Sequence, residues 1–401
     1  MNTMLIGIVG KPSAGKSTFL NALTMVGAKT GSYPFTTIEP NRGTAYVRTK
    51  CKCTELGVKD NPKNSICENG FRFLPIQFLD VAGLVPGASE GKGLGNKFLD
   101  DLRQADLLIH VVDASGSLDA EGNQVDKGSW DPLKDIEFLE VEIDSWIKNI
   151  ITRDYVGMKK KAEAEKIRLS KLLSEKLSGL KISPSDISSA ILESDIIDDD
   201  PKTWDENLDN LVTIIRKKSK PIIVVANKID QETAHKNYER MKETLKGDVF
   251  PASALSEVVL RSEQEKGTIS YTPGDSDFKI LDEERLGKKK EILLKIKHEI
   301  LERYGSTGIQ KILNYIVFDK MKMIVIYPVE DLTKYTDKDG NVLPDAFLVP
   351  KGTTTIEFAG KIHSDFAKNF INGQLAPSGR RVGADYELQN NDVIKINAAV
   401  K

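Results

Sequence analysis

The sequence predicts an α/β domain interrupted by a helical insertion and followed by a small α+β module. Three observations predict it. A strand, a glycine-rich turn and a helix succeed one another over residues 6–23. More than a hundred residues separate the strand-like run ending at Asp113 from the one beginning at Pro221, where a simple fold needs a single crossover. From Met321 the pattern changes to short strands around one helix. A chain of 401 residues is too long for one ordinary domain. Its net charge of −2, with 29% charged and 40% hydrophobic residues, steers it toward neither nucleic acid nor membrane, so any nucleic-acid site must be a local patch. The absence of a long apolar run and of a basic signal-peptide start predicts a cytoplasmic protein with no membrane partner.

Ile6-Gly7-Ile8-Val9 reads as a buried strand, and Gly10-Lys11-Pro12-Ser13-Ala14-Gly15-Lys16-Ser17 fits G-x-x-x-x-G-K-[ST]. Ser17-Thr18-Phe19-Leu20 then opens a helix. Backbone N–H groups of such a loop and of the helix start surround a β-phosphate with donors, so Gly10 to Thr18 form the predicted phosphate site. Gly10 and Gly15 allow close approach, Lys16 reaches the β- and γ-phosphates, and the Ser17 hydroxyl binds Mg²⁺.

Residues 28–41 carry too many turn formers for a core element. Thr36 and Thr37 are both candidates there for a switch threonine that binds Mg²⁺ and the γ-phosphate, the alternative being that they begin the next strand. A strand over Leu74–Leu79 leads into Asp80-Val81-Ala82-Gly83. Asp80 would hold a Mg²⁺-bound water and the Gly83 N–H would sense the γ-phosphate, although D-x-x-G alone also describes an ordinary turn. Four glycines in Pro86–Gly95 suggest a second switch. His110, inside the run Leu107–Asp113, reads as a hydrogen-bonded core histidine rather than a catalytic one.

Asn227-Lys228-Ile229-Asp230 is the discriminating motif. An aspartate there accepts the ring N–H and exocyclic amino group of guanine, while the lysine stem packs on the base; adenine would leave the carboxylate unpaired. Ser253-Ala254-Leu255 fits the turn whose backbone meets the guanine oxygen. Cys51, Cys53 and Cys67 invite a zinc reading through their C-x-C spacing, but no histidine nearby supplies a fourth ligand, so incidental reduced cysteines are expected.

YPFTTIEPN followed by DVAGLVPGASEGKGLGNKFLDDLRQADLLIHVVD resembles the Obg family of translation-factor-class GTPases, its YchF-like branch most of all. The resemblance implies a P-loop NTPase (Ras-like) G domain and Thr37 as the Mg²⁺ ligand. Some members of the branch have an altered base motif and prefer ATP; this chain keeps Asp230, from which GTP is inferred. Many potassium-stimulated relatives have asparagine where this loop has Ser13, which leaves a hydroxyl as the remaining donor for K⁺. Leu84 stands where Ras-type enzymes place a water-orienting glutamine, and leucine neither donates nor accepts, so slow intrinsic hydrolysis is expected.

Asp135–Tyr155 and Met158–Leu180 carry apolar residues at helical spacing, with lysines on the other face of the second. A coiled-coil-like hairpin is expected, with Lys159, Lys160 and Lys161 as candidate RNA contacts beside the commoner reading of solvated lysines. Lys288–Arg303 is an amphipathic helix, and Gly305-Ser306-Thr307-Gly308 reads as a cap. In the carboxyl-terminal part, Met323–Val329 and Ala346–Pro350 read as strands, Thr354–Phe370 as a helix, and Tyr386–Leu388 and Val393–Ile396 as final strands. PKGTTTIEFAGKIHSDFAKNF and RRVGADYELQNNDVIKI resemble the TGS domain, which implies a ubiquitin-like (β-grasp) fold and ribosome or RNA interaction, with Lys351, Lys361, Arg380 and Arg381 as candidate phosphate contacts.

The expected organisation is a G domain at 1–114 and 218–262, a helical insertion at 115–217, a helical connection at 263–318 and a TGS domain at 319–401. The expected activity is Mg²⁺-dependent hydrolysis of GTP to GDP by a ribosome-linked switch. An ATPase of the same fold and a nucleotide-sensing RNA- or ribosome-binding module with incidental hydrolysis are the alternatives. Oligomeric state is not predicted.

Overall fold

Apolar runs of five to seven residues bounded by turn formers become the strands of a sheet buried on both faces. The computed structural model describes residues 4–24, 42–81 and 95–399. The first part of the chain forms β1 (Leu5–Val9), α1 (Lys16–Thr24), β2 (Arg42–Lys50), α2 (Lys52–Leu56), β3 (Ile66–Glu68), β4 (Phe71–Asp80), α3 (Gly95–Gln104) and β5 (Leu107–Asp113). Five helices follow: α4 (Pro132–Thr152), α5 (Tyr155–Glu165), α6 (Leu169–Leu177), α7 (Pro184–Glu193) and α8 (Trp204–Ser219). The chain then returns to the sheet through β6 (Ile222–Asn227), α9 (Ala234–Leu245), β7 (Val249–Pro251) and α10 (Ala254–Glu265).

Among the described residues the sheet has the order β2-β4-β1-β5-β6-β7, with β3 also paired to β4. β4, β1, β5, β6 and β7 run parallel, so their carboxyl ends gather at one edge. Strand alternation sorts the core. Leu5, Val9 and Leu108 join Phe98, Leu102, Leu139, Trp146 and Trp204 in a cluster that continues into the inserted helices. Ile6, Ile8, Ile109 and Val111 join Phe19, Leu23 and Ile312 in a cluster that continues into Val325 and Tyr327 of the carboxyl-terminal module.

The insertion is helical, but it is a bundle of α-helices of 9 to 21 residues and not a two-helix hairpin. Asp131 caps α4 by accepting from the Leu133 N–H, and Pro132 takes the first helical position, so the helix begins three residues earlier than the apolar spacing suggested. α5 ends at Lys166, whose φ of 52° is left-handed, and α6 starts anew at Leu169. α8 then packs along α4 and α7. Lys159 is committed to Asp205 at 2.7 Å, which leaves Lys160 and Lys161 as the exposed members of the basic run.

After α10 come a two-stranded ribbon, β8 (Ile269–Ser270) with β9 (Lys279–Ile280), then α11 (Glu283–Leu286), α12 (Lys289–Ile296), α13 (Glu302–Tyr304) and α14 (Ile309–Asn314). The final module contains β10 (Met323–Pro328), β11 (Phe347–Pro350), α15 (Thr355–Ile362), α16 (Ser364–Lys368), β12 (Phe370–Ala376), β13 (Arg380–Val382) and β14 (Asp392–Ala398), in sheet order β11-β10-β14-β12-β13. The helix expected to run to Phe370 stops earlier, and Phe370–Ala376 is a strand. Gly373 admits it: a Cβ there would lie 2.9 Å from atoms of Ile394, Thr355 and Val382. Tyr386–Leu388 forms no strand, only a bridge from Glu387 to Thr354.

His110 sits in the middle of β5, 2% exposed, opposite Val9 and Val224. It is a core residue as expected, although its Nδ1 has no hydrogen-bond partner among the described residues. Burial, aided by the charges of Lys16 and Lys11, pushes its pKa down to about 3. The unfolded chain takes up a proton near pH 6.5 that the folded chain refuses, so stability falls as pH drops below that value. Between pH 7 and 5 the protein should lose about 2 kcal/mol more unfolding free energy than its His110→Leu variant. Urea denaturation at the two pH values measures this, and equal losses would show that His110 is not held neutral.

Candidate nucleotide site

The carboxyl edge of the parallel strands builds the site. β1 delivers the glycine loop, and the Ile8–Asp80 register places the end of β4 beside it. Gly10 has φ 150° and Gly15 φ 96°. A Cβ on Gly10 would lie 2.4 Å from the Val111 carbonyl oxygen, and one on Gly15 would lie 2.5 Å from Asn227 Nδ2. Both positions therefore require glycine for conformation and for space. Ser13 also takes a positive φ of 62°. The Lys16 Nζ donates to the carbonyls of Gly10 at 2.8 Å and Lys11 at 3.0 Å. Burial lowers its pKa, while the Asp80 charge opposes that shift. Ser17 and Thr18 lie in the first turn of α1, where amide donors are unpaired by the helix itself.

Asn227 joins this loop to the base-recognition turns. Its Nδ2 donates to the Ala14 carbonyl at 3.0 Å, and its Oδ1 accepts from the Ala254 N–H at 3.2 Å. Lys228 adopts φ 61° and pairs with Asp113 at 3.1 Å. Burial pushes Asp113 up, but hydrogen bonds from Ser115 and Ser117 and the charge of Lys228 outweigh it and hold the carboxyl below its usual range. Asp230 accepts from Ser253 Oγ at 2.6 Å and from Gln231 Nε2 at 2.9 Å. Ser253 caps α10, and its N–H donates to the Thr307 carbonyl. Gly305 ends α13 at φ 77° and Gly308 precedes α14 at φ 91°, so the segment caps helices as expected, and its Thr307 carbonyl also supports the Ser253 turn. A hollow of about 390 Å³ lies on the Lys228, Ser115 and Ser117 side of this turn, and a smaller one of about 140 Å³ on the Asp230 and Leu255 side.

The structure brings together Gly10–Thr18, Asp80, Asn227, Lys228, Asp230, Ser253, Ala254 and Leu255. Thr36, Thr37, Gly83 and Leu84 lie outside the described residues. One feature of the loop escaped sequence reasoning. The Lys11 side chain is 7% exposed and engages Asp135 of α4 at 2.8 Å, the Leu118 carbonyl at 2.8 Å and the Trp130 ring at 5.1 Å. Trp130 Nε1 also donates to Asp135. Lys11 therefore contributes backbone to the loop, while its side chain holds the insertion. The Asp131-Pro132 start signal places Asp135 in the first turn of α4, but nothing in the sequence pairs it with Lys11.

Lys361, a candidate phosphate contact in the carboxyl-terminal module, donates to the Leu348 carbonyl. Arg380 stacks on Tyr386 at 5.2 Å and bonds its hydroxyl, while Lys351 and Arg381 are exposed. No helix among the described residues is long and apolar enough to cross a membrane.

Three family profiles match the chain: a 50S ribosome-binding GTPase profile over residues 5–139, the G4 motif-containing domain of YGR210-like Obg-like GTPases over 225–331, and the TGS domain over 333–398. A GTP-binding protein of Methanocaldococcus jannaschii is 49% identical over 99% of this chain and 100% of its own length. The ribosome-binding ATPase YchF of Bacillus subtilis is 30% identical, with 97% of each chain covered. The crystal structure of a GTP-binding protein from Pyrococcus horikoshii OT3 superimposes with a TM-score of 0.76 at 37% identity, over 99% of this chain and 100% of that one. With a P-loop GTPase domain and a TGS domain in one chain, this protein belongs to the YchF-like branch of the Obg family, a family of nucleoside triphosphate hydrolases.

Proposed function

We propose that this chain is a cytoplasmic, Mg²⁺-dependent GTPase that hydrolyses GTP to GDP and phosphate and acts as a switch on the ribosome. The observation that carries the guanine reading is Asp230, whose carboxylate is oriented by Ser253 Oγ at 2.6 Å beside the Asn227 amide that grips the phosphate loop. A carboxylate fixed in this way accepts two hydrogens from guanine and none from the corresponding edge of adenine. The ribosome reading rests on the names of the B. subtilis relative and of the matching GTPase profile.

In this reading the loop amides from Gly10 to Thr18 bind the phosphates, and Lys16 exchanges its two loop carbonyls for phosphate oxygens. Ser17 and Asp80 offer the oxygen-only donor set that Mg²⁺ takes, with Thr37 as the switch ligand. Bound there, Mg²⁺ would supply Lewis-acid charge on the β- and γ-phosphate oxygens. Lys16 and the loop amides stabilise charge on the γ-phosphate as water attacks in line, and the Gly83 N–H senses that phosphate. Leu84 cannot orient the water, so turnover by the isolated chain is slow.

Asp230→Asn tests the base assignment. It should weaken binding of labelled GDP and of a non-hydrolysable GTP analogue by at least about 100-fold, with weak ATP competition unchanged. Stronger competition by ATP than by GTP in the unmodified protein would instead support the ATPase reading. Leu84→Gln should raise single-turnover hydrolysis by about tenfold or more if the site is otherwise complete, and an unchanged rate would assign water positioning to another group. For the ribosome, Lys160→Glu with Lys161→Glu should reduce co-sedimentation by about tenfold at low salt and flatten its salt dependence. Equal binding by this variant would remove the insertion from the ribosome contact.

A further inference from the structure

Three cysteines scattered over seventeen residues of sequence converge in the fold with a carboxylate that sequence reasoning did not pair with them. Cys51 follows β2, Cys53 lies in α2, Cys67 lies in β3 and Asp60 lies in the loop between α2 and β3. One donor atom from each lies within 4.8 Å of all the others. Cys53 Sγ and Cys67 Sγ are 3.8 Å apart, and Cys51 Sγ is 3.1 Å from Asp60 Oδ2. Two sulfurs bound tetrahedrally at a Zn–S distance of about 2.3 Å lie about 3.8 Å from each other. Cys51 and Cys53 are 1% and 7% exposed, and the Asp60 side chain 7%. A hairpin of backbone closes the cluster: Gly57 ends α2 at φ 65°, the Val58 N–H returns to the Cys53 carbonyl, and β3 pairs with β4 through Cys67 and Arg72.

We propose that Cys51, Cys53, Asp60 and Cys67 form a structural zinc site that pins the segment from β2 to β3 against the carboxyl-terminal module. The donor set fits zinc: thiolates select a borderline-soft cation, a carboxylate oxygen is an accepted fourth ligand, and four protein donors, those of Cys51 and Cys53 on buried residues, fill a tetrahedron with no open position for catalysis. Three thiolates and a carboxylate around Zn²⁺ carry a net charge of −2, and a buried site needs that charge compensated. Arg72 meets the requirement. It is fully buried and its guanidinium lies 2.9 Å from Asp60 Oδ2, held there by Ser65 Oγ and the Leu343 carbonyl. A ligating carboxylate oriented by such a partner is how metal sites are held in register.

The loop closed by the site is also what docks the module. The Asn61 and Lys63 N–H groups donate to the carbonyls of Val342 and Pro344, Asn64 bonds both the N–H and the carbonyl of Ala346, and Lys63 Nζ pairs with Asp337 at 2.8 Å. Zinc binding takes the three thiol protons into solvent and shuts the loop in the conformation these bonds require. The metal thus fixes the angle between the nucleotide domain and the module, with no part in the phosphate chemistry.

The test uses the full-length chain without an affinity tag, purified under reducing conditions from zinc-supplemented cells. Elemental analysis should find about one zinc per chain, released in step with thiol modification by a mercurial reagent, and cobalt substitution should give thiolate charge-transfer and tetrahedral d–d absorption. Cys67→Ser should lower zinc affinity by about 100-fold or more, and exchange of the 341–346 amides should accelerate on zinc removal. The release assay needs no variant, so misfolding of Cys67→Ser would not blunt the test. Zinc below about a tenth of an equivalent with three titratable thiols would overturn the proposal. So would a Cys53–Cys67 disulfide, seen as the loss of two hydrogens in the intact mass, or zinc retained undiminished by folded Cys67→Ser.

Discussion

Asn227 spends both ends of one amide on backbone, and three loops depend on the result. Its NH₂ reaches the Ala14 carbonyl and its oxygen receives the Ala254 N–H, so the phosphate loop, the N-K-x-D turn and the serine turn are assembled around one buried side chain. The bridge leaves no space beside Gly15, where a Cβ would lie 2.5 Å from Nδ2. The second glycine of the phosphate motif is thus required by the base motif, more than two hundred residues away in sequence. Loss of the amide would orphan a carbonyl and an N–H in a buried site, at a cost of about 1–3 kcal/mol each. Lys228 at a left-handed φ belongs to the same assembly, since a non-glycine residue there persists only where its surroundings determine it.

The parallel sheet distributes this site to the rest of the molecule. Successive residues of β1 point to opposite faces, so Leu5 and Val9 share a core with the inserted helices while Ile6 and Ile8 share one with α1, α14 and the carboxyl-terminal module. The phosphate loop begins one residue beyond Val9 and is therefore anchored to both cores at once. The insertion has a second, polar connection to the loop through Lys11, Asp135 and Trp130. A displacement of the loop backbone at position 11 beyond what the lysine stem can absorb separates a buried ion pair unless the amino end of α4 moves with it.

Much of the site was legible because its motifs are local. G-x-x-x-x-G-K-S and N-K-x-D each compress a strand end, a turn and a chemical role into a few residues, and the strands before them are continuous apolar runs. What was not legible depends on tertiary pairing. Asp135 is an unremarked first-turn acid until Lys11 meets it, and Asp60 is one of many loop acids until β3 brings Cys67 beside it. The helices of the insertion were visible by spacing, but the break at Lys166 was not: that residue ends α5 in left-handed geometry without the glycine that usually marks such a stop. In the carboxyl-terminal module, the strand Phe370–Ala376 went unread, and Gly373 sits within it because three neighbouring side chains leave room for nothing larger.

The Lys11–Asp135 pair also bears on how an inserted domain keeps step with a nucleotide site. Two charges at 7% and 8% exposure gain little net stability, because desolvation offsets most of their attraction. The asymmetry lies in separation: parting them leaves an uncompensated buried charge, at a cost of about 3–5 kcal/mol. Burial pushes the Asp135 carboxyl above its usual range against the opposing pull of Lys11. Such a pair resists intermediate positions. It favours a loop and helix that move together or not at all, which is the mechanical property a helical insertion needs if it is to follow the phosphate loop to which it is attached.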